Sequence, residues 1–176
     1  LGANTLLGEP WLRAKKGQLA ITDRYGPLVN HQLVELGYGA SAHGGGTSVA
    51  FNVQPRPTGQ LLIGSSRQFD NEDRELDPPL LAAMLSRAQH FLPSLATLNI
   101  IRCWSGFRAA SQDGNPLLGP HPSRAGVWLA LGHEGLGVTT APASASLLAA
   151  QLLGERSLVS PAPWLPARLI SLEASA

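Results

Sequence analysis

The stretch Gly126-Val127-Trp128-Leu129-Ala130-Leu131-Gly132-His133-Glu134-Gly135-Leu136-Gly137-Val138-Thr139-Thr140 decides how this chain folds. Residues 126–131 read as a buried strand, 132–137 as a glycine-rich turn, and 138–153 as a helix that Gly154 ends. The first amides of a helix lack intrahelical partners, and its dipole is positive there, so this terminus favours an anion or an electron-rich carbonyl group. That end falls at Leu136 to Thr139. The same glycines also suit close packing of helix on strand, and from the residues alone both readings stand.

Upstream, residues 99–107 are extended and rich in aromatic and branched side chains, and Asp113-Gly114-Asn115-Pro116 turns the chain into Leu117-Leu118. Arg102 and Arg108 fall on one side of a regular strand here, in apolar company where an arginine usually meets a carboxylate. A packing helix is expected over 77–92, with Asp77 as cap, Pro78 in the first turn and Leu80, Leu81, Met84, Leu85, Ala88, Phe91 and Leu92 at helical spacing before Pro93. Short β-prone runs lie at 18–22, 32–36, 47–53 and 60–64, the last two forming a hairpin. Val49, Phe51 and Val53 share one face, while Ser48, Ala50 and Asn52 share a second, more polar face on which a ligand could lie. The expected fold class is α+β: a mixed, mainly antiparallel sheet with a packing helix, followed by a strand, turn and helix.

The 176 residues amount to about one domain. Apolar residues make up 44% and charged residues 14%, which is a globular composition. A formal charge of +1, with no basic cluster beyond Lys15-Lys16, gives no electrostatic case for nucleic acid or an anionic membrane. The single Cys103 excludes an internal disulfide and a cysteine zinc site. With no signal-peptide pattern and no apolar run of membrane-spanning length, a cytoplasmic location is expected.

Three motifs are incomplete. His43-Gly44-Gly45-Gly46 has the form of an oxyanion-hole loop, but no Gly-x-Ser-x-Gly nucleophile accompanies it. His133-Glu134 opens like a zinc-protease helix, but Gly137 stands where the second histidine belongs, so no metal site is expected. Neither Gly37-x-Gly39 nor Gly135-x-Gly137 extends into the dinucleotide fingerprint.

Three segments in order carry a resemblance: Arg102-Cys103-Trp104-Ser105-Gly106-Phe107-Arg108, Asp113-Gly114-Asn115-Pro116-Leu117-Leu118-Gly119-Pro120, and the turn from Gly132 through Pro142. Together they resemble the C-terminal part of FAD-dependent amino-acid oxidases and dehydrogenases. That family includes glycine oxidase, D-amino-acid dehydrogenase, and the flavoprotein subunits of hydrogen cyanide synthase, opine oxidase and D-hydroxyproline dehydrogenase. Lys16-Gly17-Gln18-Leu19 and residues 55–64 are similar to its substrate-domain strands.

The resemblance implies FAD as cofactor and oxidation of a D-amino acid, glycine, hydroxyproline or an opine-like substrate by hydride transfer. It implies that Arg108 grips the substrate carboxylate. It also implies that Gly132, His133, Gly135, Leu136, Gly137, Val138 and Thr139 lie against the flavin. Asn52 stands where glycine oxidase has a carboxylate-holding tyrosine, Gly135 replaces an arginine of that oxidase, and His43 is placed at the substrate cavity.

The resemblance divides the chain into a substrate-binding domain over 1–125, the last strand and helix of an incomplete FAD-binding domain over 126–156, and an irregular tail over 157–176. Because the chain starts at Leu1 and lacks the fingerprint, it is read as a C-terminal piece. Its implied partners are an N-terminal FAD-binding region and either further subunits of a heteromeric dehydrogenase or other copies of itself. The alternative is a non-catalytic interaction module that keeps the fold without FAD; a hydrolase is a third reading.

Overall fold

The computed structural model describes residues 2–39, 46–69 and 71–169. The chain forms two compact units, one of Lys15–Phe107 and one of Leu1–Ala14 with Arg108–Ala176, here called the sheet unit and the helix unit. The chain passes between the units at 14/15 and at 107/108, each time inside a continuous strand.

The five-stranded sheet runs β2-β3-β4-β1-β5, from β1 (Arg13–Thr22), β2 (Leu33–Val34), β3 (Ser48–Pro55), β4 (Leu61–Phe69) and β5 (Ile100–Ala110). β2 with β3, β3 with β4 and β4 with β1 pair antiparallel. The expected hairpin is β3–β4, closing at Pro55 opposite Leu61. A helix, α2 (Pro78–Phe91), second in chain order after the short α1 (Gly2–Leu7), packs on this sheet. Asp77 caps it by accepting the Leu80 amide at 3.0 Å. Phe51, Val53, Leu61 and Ile63 meet Met84 and Ala88 in the core, as strand alternation and helical spacing require. Lys15 and Lys16, the basic pair of the sequence, are both buried in β1. Lys16 reaches Asp73 at 2.6 Å, and the Lys15 ammonium lies 4.8 Å from the centre of the Phe69 ring.

The helix unit holds α1 (Gly2–Leu7), a two-stranded antiparallel ribbon of β6 (Leu117–Pro120) and β7 (Trp128–Leu131), and α3 (Gly137–Leu153). Gly154 ends α3 in the left-handed conformation, φ 69°. Its core gathers Leu7, Trp11, Leu12, Leu117, Leu129 and Leu169. Two expectations are corrected here. β7 is not a buried strand: only Leu129 is buried, and Trp128 is exposed, because a two-stranded ribbon buries one face. Nor is the tail wholly irregular. Its described part forms a short 3-10 turn at Ala162–Trp164, places Leu169 in the core, and ties Arg168 to Asp113.

Candidate functional site

In the helix unit, the end of β5 and the turn before α3 are built together. His133 forms an isolated antiparallel bridge with Ala110, and the Glu134 amide donates to the Ala109 carbonyl at 3.0 Å. This brings the turn beside Arg108, one residue earlier on the strand. A methyl group at Gly135 would lie 3.8 Å from Cδ and Nε of Arg108, so the bare glycine borders the arginine stem. Arg108 is half-buried. Arg102, the other arginine of the segment, is exposed in the sheet unit, 5.8 Å from the Trp104 ring centre.

The turn needs its glycines and carries strain. Gly132 has φ 75°, and a methyl group there would meet Ser111 Cβ at 3.1 Å. Glu134 also lies in the left-handed region, φ 54°, which costs a non-glycine residue roughly 1–2 kcal/mol and persists only where neighbours hold it. One hold is the Ala109 carbonyl. Another is the His133 ring, whose Nε2 shares a hydrogen bond with Ser144 Oγ at 2.9 Å. Burial pushes the His133 imidazole below its ordinary range, favouring the neutral form.

α3 then starts with no side-chain cap from Leu136 and no acidic residue in its first turn. The Thr140 amide is the first to return to a carbonyl, that of Leu136, at 2.9 Å. Val138 and Leu136 project outward. A glycine-lined backbone leading into a helix start without a side-chain cap offers N–H groups and a positive dipole end to an electron-rich carbonyl group. The structure thus brings together Arg108, Gly132, His133, Gly135, Leu136, Gly137, Val138 and Thr139. Ser144, a small polar residue in an alanine-rich helix whose partner lies eleven residues away, carries no sequence signal that marks it.

Asn52 belongs to the sheet unit. It is 9% exposed, accepts the Gln32 amide at 3.0 Å and donates to the Tyr38 hydroxyl at 3.5 Å. Ser65 Oγ reaches the same hydroxyl at 3.4 Å, and the Arg67 guanidinium stacks 4.6 Å from the Tyr38 ring centre. The polar face expected on β3 therefore exists, and Tyr38 and Arg67 are members that strand alternation alone did not reveal. His43 lies outside the described residues. Cys103 packs against the sheet unit's core, and burial pushes its thiol up, away from reactivity. Among the described residues, no helix is long and apolar enough to cross a membrane.

Residues 2–151 match the DAO family, described as FAD dependent oxidoreductase. Glycine oxidase of Pseudomonas aeruginosa is 36% identical over 113 residues, covering 64% of this chain and 31% of that protein. Hydrogen cyanide synthase subunit HcnC of the same organism is 31% identical over 153 residues, covering 87% of this chain and 34% of the subunit. The chain spans about a third of the length of these relatives. The crystal structure of glycine oxidase from Geobacillus kaustophilus superimposes with a TM-score of 0.74 at 24% identity, over 92% of this chain and 41% of that one. That likeness carries the fold.

Proposed function

This chain belongs to the family of FAD dependent oxidoreductases, and from that premise we propose that it is the substrate-facing and flavin-facing C-terminal portion of an enzyme that oxidises the CH–NH group of an amino acid. The observation that supports this best is the adjacency of Arg108 to the bare backbone at Gly135, beside an uncapped helix start. One element suits a carboxylate, the other an electron-rich ring edge.

In this reading Arg108 binds and orients the substrate carboxylate through two parallel N–H groups. The backbone from Gly132 to Thr139 faces the flavin, and its helix start stabilises negative charge there. FAD, when bound, supplies the hydride acceptor. The amino acid loses a hydride from carbon to the flavin and a proton from nitrogen to solvent, and water hydrolyses the resulting imine to an oxo acid with release of ammonia or an amine. No side chain is required as general base, so the chain's contribution is positioning and charge stabilisation. Asn52 and His43 are kept as proposed substrate-binding residues on the strength of the family resemblance. The candidate substrates are glycine, a D-amino acid, hydroxyproline or an opine-like compound.

The proposed partners are an N-terminal FAD-binding region and further subunits. HcnC is itself a subunit, which supports a multi-subunit assembly. The test is the visible spectrum of the purified chain, alone, titrated with FAD, and joined to an N-terminal FAD-binding region of the family. A flavin spectrum in the joined protein that bleaches with one of the candidate amino acids without oxygen supports the proposal. A joined protein that folds but binds no FAD refutes it and leaves the interaction module.

A further inference from the structure

We infer that Ser144 is a positioning residue: through its hydrogen bond to His133 it fixes the direction of the backbone N–H groups in the turn before α3. The inference that these N–H groups serve a flavin rests on the proposed function; the pinning itself does not. Ser144 sits in α3, 8% exposed, and its Oγ lies 2.9 Å from His133 Nε2. The bond reaches from the body of the helix back to the turn that precedes it.

Geometry gives this bond its consequence. The His133 carbonyl accepts the Leu136 amide at 3.0 Å, and the next residue, Glu134, holds a left-handed φ of 54°. A turn with that torsion and with glycines at 132, 135 and 137 has many other conformations open to it. Its backbone anchors lie on β5, at Ala109 and Ala110. Those anchors set where the turn starts. The His133 ring, held by Ser144, sets how the turn meets the helix, and so where the amides of Gly137, Val138 and Thr139 point. A methyl group at Gly137 would lie 3.5 Å from His133 Cβ, so the histidine stem also forms the wall against which the first helical residue rests.

The hydrogen bond should respond to chemistry and not to bulk, which separates positioning from packing. Ser144→Ala removes the hydroxyl and favours helix slightly, whereas Ser144→Thr keeps it. Hydrogen exchange on the chain without FAD is read at Glu134 and Leu136, with Ala150 further along α3 as the control. The expected result is exchange about fivefold faster at the two turn amides in Ser144→Ala, unchanged at Ala150, and restored in Ser144→Thr. Unchanged exchange in Ser144→Ala, or equal acceleration in both variants, overturns the inference.

A second arm titrates FAD into the protein joined to an FAD-binding region. Affinity about fivefold weaker in Ser144→Ala and restored in Ser144→Thr supports both the pinning and the flavin-facing role. Faster exchange with unchanged FAD affinity supports the pinning and refutes the placement of the flavin at this turn.

Discussion

Arg168 grips Asp113 with two parallel bonds, Nε to Oδ2 at 2.6 Å and Nη2 to Oδ1 at 2.9 Å. Burial pushes the Asp113 carboxyl up, but the Arg168 bonds and charge, the Asn115 amide and the Ser111 hydroxyl outweigh it and hold it at about 2, against an ordinary 3.8. A carboxyl held lower in the folded state contributes stability above its unfolded value and loses it as pH falls through the folded one. Asp113 is an exposed residue, so solvent screening cuts the contribution to about 1 kcal/mol; it is complete above about pH 5 and is lost as pH falls toward 2. Acid titration followed by circular dichroism should show Asp113→Asn less stable than wild type at neutral pH, with the gap closing between about pH 4 and pH 2. A constant gap across that range would show that the ion pair does not set the effect.

Asp77 has more to do than cap α2. Besides receiving the Leu80 amide, its Oδ2 accepts Gln68 Nε2 at 2.7 Å, and its backbone amide donates to Gln18 Oε1 at 2.8 Å. Losing a cap costs about 1 kcal/mol, and leaving the amide of the buried Gln68 without its acceptor adds about 1 more. Asp77→Ala should therefore lower stability by about 2 kcal/mol in urea melts, and Asp77→Ser, which keeps only the cap, by about half of that. Equal losses in the two variants would remove the role given to Gln68.

These two relationships mark what could be read from sequence. The Asp77-Pro78 start and the apolar spacing of α2 are local signals, and local signals give helices and caps. The turn at Gly132 was likewise readable, because glycine spacing and a following helix need no distant partner. The partners of Asp113 and His133 were not readable, since Arg168 and Ser144 become neighbours only through the fold. A further misreading has a similar cause: the apolar run at Trp128 reads as a buried strand, because composition reports polarity and not how many faces a strand has covered. The Trp11-Leu12 contribution to the helix-unit core was missed because those residues lie in no periodic run.

Gly132 and Gly135 should separate sharply on substitution. At Gly132, alanine must take φ 75° and place its methyl 3.1 Å from Ser111 Cβ. The torsion alone costs about 1–2 kcal/mol. At Gly135 the nearest atoms, on Arg108, are 3.8 Å away, an ordinary contact. Gly132→Ala should lose about 2 kcal/mol or more in equilibrium unfolding, while Gly135→Ala stays within about 0.5 kcal/mol of wild type. Similar losses at both would mean that the turn is held differently.

Arg108→Lys tests the substrate assignment most directly, because it keeps the positive charge and removes the planar fork. A guanidinium offers two parallel N–H groups to a carboxylate, whereas an ammonium offers a point charge on a flexible stem. Losing one of two charge-assisted bonds is worth about 1.5 kcal/mol, or roughly tenfold in binding. In the FAD-loaded joined protein, KM for the amino acid should rise about tenfold or more, while the flavin-to-protein ratio and the flavin spectrum stay unchanged, since in the proposed arrangement the turn from Gly132 to Thr139 serves the flavin through its backbone. Arg108→Met adds a second reading by deleting the charge, and should raise KM further at the same flavin content. If KM does not move in either variant, Arg108 does not hold the carboxylate. If flavin content and melting temperature fall together in both, its work beside Gly135 is to support the turn.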